Sequence, residues 1–282
     1  MCSRILGLIR DHYQAVFFGT GPLATAWEIA YMFPNMLRNL LADGVLSQSF
    51  VPIYSESLKK SKEEADRVAG IIISFLFLFL LILVGTGIAI FPAVLPFYAG
   101  KSPEESALLI ELSQVMFVFI LTASLTAMFS GISNTHLLFS VPALSPILLN
   151  IVLIGGYLIL DPLHLDGESN ARYLSRVVVV GGFLQLSFQM FYVWRKGHWP
   201  KFSLNIRDPA LKKIFSLMAP AAIGASLFQL NQLLDIAIAG YFIPEEAGAV
   251  PGLRFAHRLI QLPTGIIGVA LSTSILPALT AR

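Results

Sequence analysis

The sequence predicts an all-α, polytopic membrane protein with eight transmembrane helices. Of its 282 residues, 56% are hydrophobic and 13% are charged, and that charged share is about half the share in an average soluble domain. The mean hydropathy of +0.74 indicates more apolar surface than the interior of a single 30.8 kDa domain can hold. Much of this surface must therefore face lipid.

Stretches without charged residues locate the predicted helices, because an ionisable side chain at the bilayer centre costs at least about 2.5 kcal/mol. The stretch between Arg67 and Lys101 is 33 residues long and predicts helix three. The stretch between Glu111 and Asp161 is 49 residues long. It has room for helices four and five, at about 20 residues each, joined by a turn at 131–140.

Three shorter uncharged stretches predict the last helices. They are 18, 21 and 23 residues long, at 177–194, 214–234 and 259–281, and predict the apolar parts of helices six, seven and eight. Helix eight also includes Arg254 and Arg258, just before its uncharged part. Two segments near the N-terminus, 4–18 and 23–54, carry several charges among their apolar residues. We expect these to be helices one and two, with polar faces.

Basic residues in the predicted loops favour one side of the membrane. Ten of the twelve follow helix two or helix six, namely Lys59, Lys60, Lys62, Arg67, Arg195, Lys196, Lys201, Arg207, Lys212 and Lys213. Because lysine and arginine concentrate on the cytoplasmic side, both loops and the N-terminus are predicted to be cytoplasmic. The charges within the first 18 residues argue against a secretory signal peptide.

A short motif occurs twice, at the ends of helices two and eight. Residues 46–52 and 271–277 both match L-S-x-S-x-x-P, on helices predicted to run in the same direction. The match favours a parallel repeat, which places a transporter's site between two halves, although small residues and proline are also common near membrane helix ends. The predicted domains are a six-helix lobe at 1–200 and the first two helices of a second lobe at 201–282.

The cationic side chains of the predicted helices are all arginines, with no lysine. Five arginines lie there, namely Arg4, Arg10, Arg38, Arg254 and Arg258. A guanidinium group matches phosphate or carboxylate oxygens bidentately and stays charged, so this bias indicates an anionic ligand. The alternative is that these arginines extend to lipid headgroups or pair permanently with Asp11, Glu28 and Asp43.

Helical spacing places the polar residues of helices one and two on shared faces. Each residue turns a helix by about 100°, so Arg4, Arg10 and Asp11 can all face one cavity. The polar residues of helix two fall within a sector about 140° wide; they are Glu28, Asn35, Arg38, Asn39 and Asp43. We predict that these side chains line a ligand cavity.

Other functional classes receive little support. One cysteine excludes an internal disulfide, the net charge of +2 gives no bulk attraction to nucleic acid, and the five histidines lack metal-ligand spacing. A membrane enzyme acting on polyprenyl phosphate is a further alternative, but no paired carboxylates or metal motif indicate one. Asp235, at the end of helix seven's uncharged stretch, is a candidate cation ligand, proton carrier or interface residue.

Motifs near both ends of the chain resemble one known family. The N-terminal motifs are S-R-I-L-G at 3–7, I-R-D at 9–11, F-P-N-M-L-R at 33–38 and A-D-G-V-L-S-Q-S-F-V-P at 42–52. The C-terminal motif is A-H-R-L-I-Q-L-P-T-G-I-I-G-V-A-L at 256–271. Together they resemble the bacterial lipid II flippases, the MurJ (MviN) family.

The resemblance implies a multidrug/oligosaccharidyl-lipid/polysaccharide (MOP) exporter fold, with two six-helix lobes around a hydrophilic cavity. It implies transport of undecaprenyl-pyrophosphate-linked peptidoglycan precursor across the bacterial cytoplasmic membrane by alternating access, without an enzymatic step or an organic cofactor. The expected partners are this precursor, membrane lipids and cell-wall synthesis proteins. The family's cavity arginines fall on Arg4, Arg10, Arg38 and Arg258, beside Asp11. Sodium or the membrane potential would drive transport, with Asp235 as a sodium ligand.

Three residues depart from the family pattern. Thr25 stands where the family usually has an acid, Asn39 stands where it often has a second arginine, and Glu28 is an acid at a usually apolar position. The cavity's acid has therefore moved one turn along helix two. Two alternatives remain open, namely another MOP-type exporter of drugs or O-antigen lipids and a membrane scaffold that does not transport.

Overall fold

The computed structural model describes residues 2–38, 45, 47–97, 103–205, 207–243, 247–257 and 259–260. The described part of the chain is predominantly helical and contains no β-strand, which confirms the predicted all-α class. Its long helices are α1 (Cys2–Phe18), α2 (Pro22–Arg38), α3 (Ser47–Lys60), α4 (Lys62–Val94), α5 (Pro103–Phe117), α6 (Phe119–Thr135), α7 (Ser140–Leu160), α8 (Gly167–Arg195) and α9 (Pro209–Phe242). Residues 249–257 form a further helical segment.

Several described helices are long and apolar enough to cross a membrane. Four stretches qualify, namely Lys62–Val94, Pro103–Thr135, Ser140–Leu163 and Gly167–Arg195. Helix α9 adds a fifth when its halves, Pro209–Gly224 and Gln229–Phe242, are taken as one span bent by 42°. These five correspond to predicted helices three to seven.

The predicted total of eight helices stays a prediction. Helices α1 and α2 are 17 residues each, slightly shorter than the roughly 20 residues that a straight span needs. Predicted helix two also includes 39–44 and 46, and predicted helix eight includes 261–281, all outside the described residues. The second copy of the repeated motif, at 271–277, lies there too.

Side-chain caps fix where three of the long helices begin. Ser61 accepts a hydrogen bond from the backbone N–H of Glu64 at 3.1 Å, which caps α4. Asp166 and Asp208 cap α8 and α9 in the same way. Such caps satisfy backbone N–H groups that have no partner within the helix. Helices α4 and α8 therefore begin several residues before the uncharged stretches that predicted them.

Glycines allow the helices of the first predicted lobe to pack closely. A Cβ atom on Gly182 of α8 would lie 2.3 Å from Thr122 Oγ1 of α6, and one on Gly156 of α7 would lie 2.9 Å from Val177 Cγ1 of α8. Small residues at such crossings let membrane helices approach each other. Large apolar side chains such as Ile82 and Ile159, each 69% exposed, cover the outer surface that lipid would contact.

The segment between α8 and α9 is hydrogen-bonded to the first half of α4. The N–H of Lys201 donates to the carbonyl of Asp66 at 2.9 Å, and the N–H of Ser203 donates to Ser74 Oγ at 3.1 Å. A Cβ atom on Gly70 would lie 1.9 Å from the carbonyl oxygen of Lys201, so only glycine fits there. The domain boundary predicted at 200 falls in this segment and stays a prediction.

Two stacked histidines lie at this end of the bundle, outside the candidate spans. The rings of His136 and His198 are 3.5 Å apart and nearly parallel, and His136 Nε2 lies 3.0 Å from the hydroxyl of Tyr54. Burial lowers the pKa of both imidazoles, and the neighbouring His198 lowers the pKa of His136 further. A positive charge on this stack is therefore unfavourable.

The two strongly basic segments lie side by side. Lys213 of α9 pairs with Glu56 of α3, and Arg67 of α4 pairs with Asp208 at the start of α9. The other end of the bundle brings Thr20, in the turn between α1 and α2, against Gly248. The segments with predicted cytoplasmic exposure therefore share one end of the molecule, while the orientation of that end stays a prediction.

Candidate functional site

A cavity of about 410 Å³ lies between the two predicted lobes. Helices α1, α2, α7 and α8 form one wall, and α9 with residues 249–257 forms the other. The charged and amide side chains that line it are Arg4, Arg10, Asp11, Glu28, Asn35, Arg38, Asn150, Gln185, Gln232 and Arg254. The volume falls within the range of about 300–1,000 Å³ that is typical of small-ligand sites.

The structure brings together six of the eight residues predicted to bind the substrate. Their helical spacing had placed them on one face of each helix, and the two faces meet at the cavity. They are Arg4, Arg10, Asp11, Glu28, Asn35 and Arg38. The other two, Asn39 and Arg258, lie outside the described residues.

Arg10 is the most extensively bonded arginine of α1. Its Nε and Nη2 donate to Asp11 Oδ1 at 3.1 and 2.6 Å, and its Nη1 donates to Asn150 Oδ1 of α7 at 3.3 Å. The guanidinium carbon also lies 6.0 Å from the centre of the Tyr31 ring, within cation–π range. The side chain is only 12% exposed, so it cannot extend to lipid headgroups.

Asn150 joins α7 to the first helix by two hydrogen bonds. Its amide nitrogen donates to the carbonyl oxygen of Ser3 at 3.2 Å, while its amide oxygen accepts from Arg10. One side chain thus ties α7 to two turns of α1. This contact fixes the direction of the Arg10 fork within the cavity.

Arg38 and Arg4 lie toward the other end of the cavity. Arg38 is in the last turn of α2, where its Nη2 donates to Asn35 Oδ1 at 3.1 Å. A cation at this position also interacts favourably with the negative end of the helix dipole. Arg4 is exposed and lines the cavity from the first turn of α1.

Glu28 is buried within the wall of the cavity, at 4% exposure. Its Oε1 accepts a hydrogen bond from Gln14 of α1, and its Oε2 pairs with Arg254 from the segment 249–257. Arg254 also lies over the ring of Tyr31, 5.2 Å from its centre. A single carboxylate therefore links α1, α2 and the second predicted lobe.

Sequence reasoning left four of these contributors out of the predicted site. Arg254 was recognised as an arginine within a span but was not assigned to the ligand cavity. The signal that could have identified it is Glu28, an acid that needs a cation at the same depth. The uncharged Asn150, Gln14 and Tyr31 gave no comparable signal, because their roles depend on which helices meet.

Asp235 does not line the cavity, although Gln232 and Ile236 of the same helix do. Its Oδ2 accepts from Asn231 Nδ2 at 3.3 Å, one turn earlier on α9. Among the described residues, no group of three or more histidine, cysteine, aspartate or glutamate side chains is arranged to hold a metal ion. A sodium site at Asp235 therefore stays a prediction.

Charge in the cavity favours an anion. Four arginines and two carboxylates line its described part, an excess of two positive charges. Confined, weakly solvated charges attract an anion more strongly than the same charges would in water. The cavity therefore suits a ligand with more than one negative charge, such as a pyrophosphate.

Comparison with known proteins identifies the family. A sequence profile described as "Lipid II flippase MurJ" matches residues 14–282. The chain belongs to the lipid II flippase MurJ family. By its name, this is a family of transporters and not of enzymes.

Curated relatives cover almost all of this chain. A "Probable lipid II flippase MurJ" of Rhizobium tropici is 33% identical over 288 residues, which cover 98% of this chain and 52% of the relative. A "Lipid II flippase MurJ" of Burkholderia cenocepacia is 33% identical, over 99% of this chain and 55% of the relative. The chain thus spans about half the length of the MurJ relatives that it matches.

Solved structures confirm the predicted fold. The "Lipid II flippase MurJ, inward closed conformation" superposes with a TM-score of 0.80 and 28% identity, over 97% of this chain and 56% of that one. An inward-facing multidrug resistance MATE family transporter of the MOP superfamily gives a TM-score of 0.65 and 18% identity, over 93% of this chain and 58% of that one. The second match bears on the fold alone.

Proposed function

We propose that the full-length protein, the product of the complete reading frame that contains this chain, translocates lipid II across a bacterial cytoplasmic membrane. Lipid II is an undecaprenyl-pyrophosphate-linked peptidoglycan precursor. Its headgroup enters the cavity between the lobes, the arginines bind its pyrophosphate, and rocking of the lobes exposes it to the other leaflet. The lipid tail stays in the bilayer.

The observation that supports this proposal is the composition of the cavity wall. An excess of arginine over acid favours a multiply charged anion, whereas an exporter of cationic or apolar drugs requires acids or several aromatic rings. Tyr31 is the one aromatic residue other than histidine among the described lining residues. We therefore favour the lipid pyrophosphate over a drug as the transported ligand.

The predicted site residues other than Glu28 each receive a role in this proposal. Arg4, Arg10, Arg38 and Arg258 contact the pyrophosphate, and Asp11 orients Arg10 for this contact. Asn35 and Asn39 hydrogen-bond the headgroup. Asp235, outside the cavity wall, couples transport to sodium or to the membrane potential, and the N-terminus faces the cytoplasm.

Lipid II binding to the purified full-length protein tests the proposal. We expect inorganic pyrophosphate to compete for the site, and Arg10→Ala to abolish both lipid II binding and this competition. Arg172→Ala is the matched control, because Arg172 pairs with Glu111 and Glu168 away from the cavity. Lipid II binding that Arg10→Ala leaves intact would contradict the proposal.

A further inference from the structure

One ion pair joins the two predicted lobes across the cavity. Glu28 belongs to α2 and Arg254 to the segment 249–257, 226 residues apart in sequence. The Glu28 side chain is 4% exposed and the Arg254 side chain 28% exposed. Both residues line the cavity, so a ligand in the cavity can reach the guanidinium that now binds the carboxylate.

The two predicted lobes are also in direct contact near the turn between α1 and α2. Gly248 adopts a left-handed backbone conformation, with φ of +62°, and packs against the carbonyl of Thr20. A narrow pocket beside this contact is lined by Ala24 and Trp27 of α2 and by Pro251 and Phe255 of the second lobe. Ala24 is 4% exposed, so the described residues close this end of the cavity.

The chemistry of the pair makes it displaceable by an anion. A carboxylate and a phosphate offer the same kind of oxygen acceptors to a guanidinium, and a pyrophosphate carries more charge. Gln14 donates to the other oxygen of Glu28, so the carboxylate keeps a hydrogen-bond donor when Arg254 leaves. After the exchange, Glu28 keeps its bond from Gln14 and Arg254 binds the pyrophosphate, so both charged groups have a polar partner.

We propose that Glu28 is an internal substitute for the anionic ligand and holds the lobes together at the α1–α2 turn while the cavity is empty. A pyrophosphate that enters the cavity takes Arg254 from Glu28 and so releases this end to open. Ligand binding is thereby coupled to lobe separation through one shared arginine. This inference rests on the proposed function, because it takes the ligand to be a pyrophosphate.

Accessibility of a cysteine at the closed end tests the coupling. The full-length protein carries Ala24→Cys in a cysteine-free background, and the rate of labelling by a hydrophilic maleimide is measured with and without inorganic pyrophosphate. Because release of Arg254 from Glu28 frees this end to open, we expect pyrophosphate to raise the labelling rate roughly tenfold or more. Ala171→Cys, fully buried within the first lobe, reports general unfolding and should stay unreactive.

Two variants separate the ion pair from a general effect of charge. Glu28→Gln should label rapidly without pyrophosphate, and pyrophosphate should add little. Glu111→Gln removes a carboxylate that pairs with Arg172 within the first predicted lobe, away from the cavity, so its labelling should stay slow until pyrophosphate is added. Arg254→Gln should behave like Glu28→Gln, which provides a second test of the same pair.

The outcomes distinguish this inference from the proposed function. A binding measurement is made in parallel with the labelling. If pyrophosphate binds but does not raise the labelling rate of the Ala24→Cys protein, the coupling is overturned and the proposed function stands. Absence of pyrophosphate binding would contradict the proposed function and the coupling alike. In that case, rapid labelling of Glu28→Gln would still show that the pair holds the lobes together. A Glu28→Gln protein that labels as slowly as the parent would overturn the role of the pair.

Discussion

Replacement of Arg10 by lysine keeps the positive charge in the cavity but removes the planar fork of donors. Three of the five N–H groups of Arg10 are engaged by Asp11 and Asn150 within the described chain. Among the described residues the other two N–H groups, one on each terminal nitrogen, have no partner, so they can bind a phosphate bidentately. A lysine ammonium has three donors in all, so it cannot keep the contacts to Asp11 and Asn150 and also make two bonds to a phosphate.

The expected loss of lipid II affinity follows from this count of hydrogen-bond donors. Arg10→Lys removes at least one charge-assisted hydrogen bond to the ligand, which is worth about 1.5–3 kcal/mol. The affinity of the full-length protein for lipid II should therefore fall roughly tenfold to a hundredfold. Arg38→Lys should cause a loss of the same kind, because its fork also lines the cavity.

Lipid II affinity of the purified variants is the direct assay, and growth of a flippase-depleted strain is the cellular one. Membrane abundance is measured beside growth, because a loss of ion pairs with the acids would reduce folding or insertion instead. Arg172→Lys, at an ion pair outside the cavity, is the control. Normal affinity and growth of Arg10→Lys at wild-type abundance would refute the bidentate role.

Three further predictions concern coupling, topology and pH. Asp235→Asn should change the ion dependence of transport while lipid II binding stays nearly intact, because Asp235 does not line the cavity. An equal loss of ion dependence and of lipid II binding would show that Asp235 does not act in coupling alone. In a cysteine-free background, Glu63→Cys should react only with reagents that reach the cytoplasm and Leu163→Cys only with reagents added outside cells; the reverse pattern would contradict the predicted orientation. Burial lowers the pKa of His136 and His198 below the ordinary value of 6.5. The neutral imidazoles therefore contribute their full stability to the fold above pH 6.5, and this contribution is lost as the pH falls through the lowered pKa values. Thermal unfolding at pH 7 and pH 5 should show this decrease, and His198→Phe should reduce it; an unchanged pH dependence would exclude the stack as its source.

Charge spacing predicted most of the described membrane architecture. A charge inside a bilayer is so costly that its absence over 18 or more residues marks the apolar part of a span, as it did for α4, α7 and α8. The true starts of α4 and α8 were missed because they lie in polar sequence. They are set by Ser61 and Asp166, which are typical capping residues.

Helical spacing predicted the cavity faces of α1 and α2 for a similar reason. The 100° turn per residue fixes which side chains of one helix share a face, so Arg10, Asp11, Asn35 and Arg38 could be grouped from their numbers alone. It does not say which helix faces that group. The contacts of Asn150 with Arg10 and of Arg254 with Glu28 join residues 140 and 226 positions apart, so they required the fold.

Movement of lipid II across the bilayer tests the central claim most directly. Vesicles that contain the full-length protein and fluorescent lipid II are treated with a reagent that destroys the fluorophore only in the outer leaflet. In vesicles with the wild-type or the Arg172→Lys protein, we expect lipid II from the inner leaflet to reach the outer leaflet and lose its fluorescence to the reagent. Vesicles with Arg10→Ala should behave as protein-free vesicles do. Equal translocation by the wild-type and Arg10→Ala proteins, or none by either when both are folded, would contradict the account.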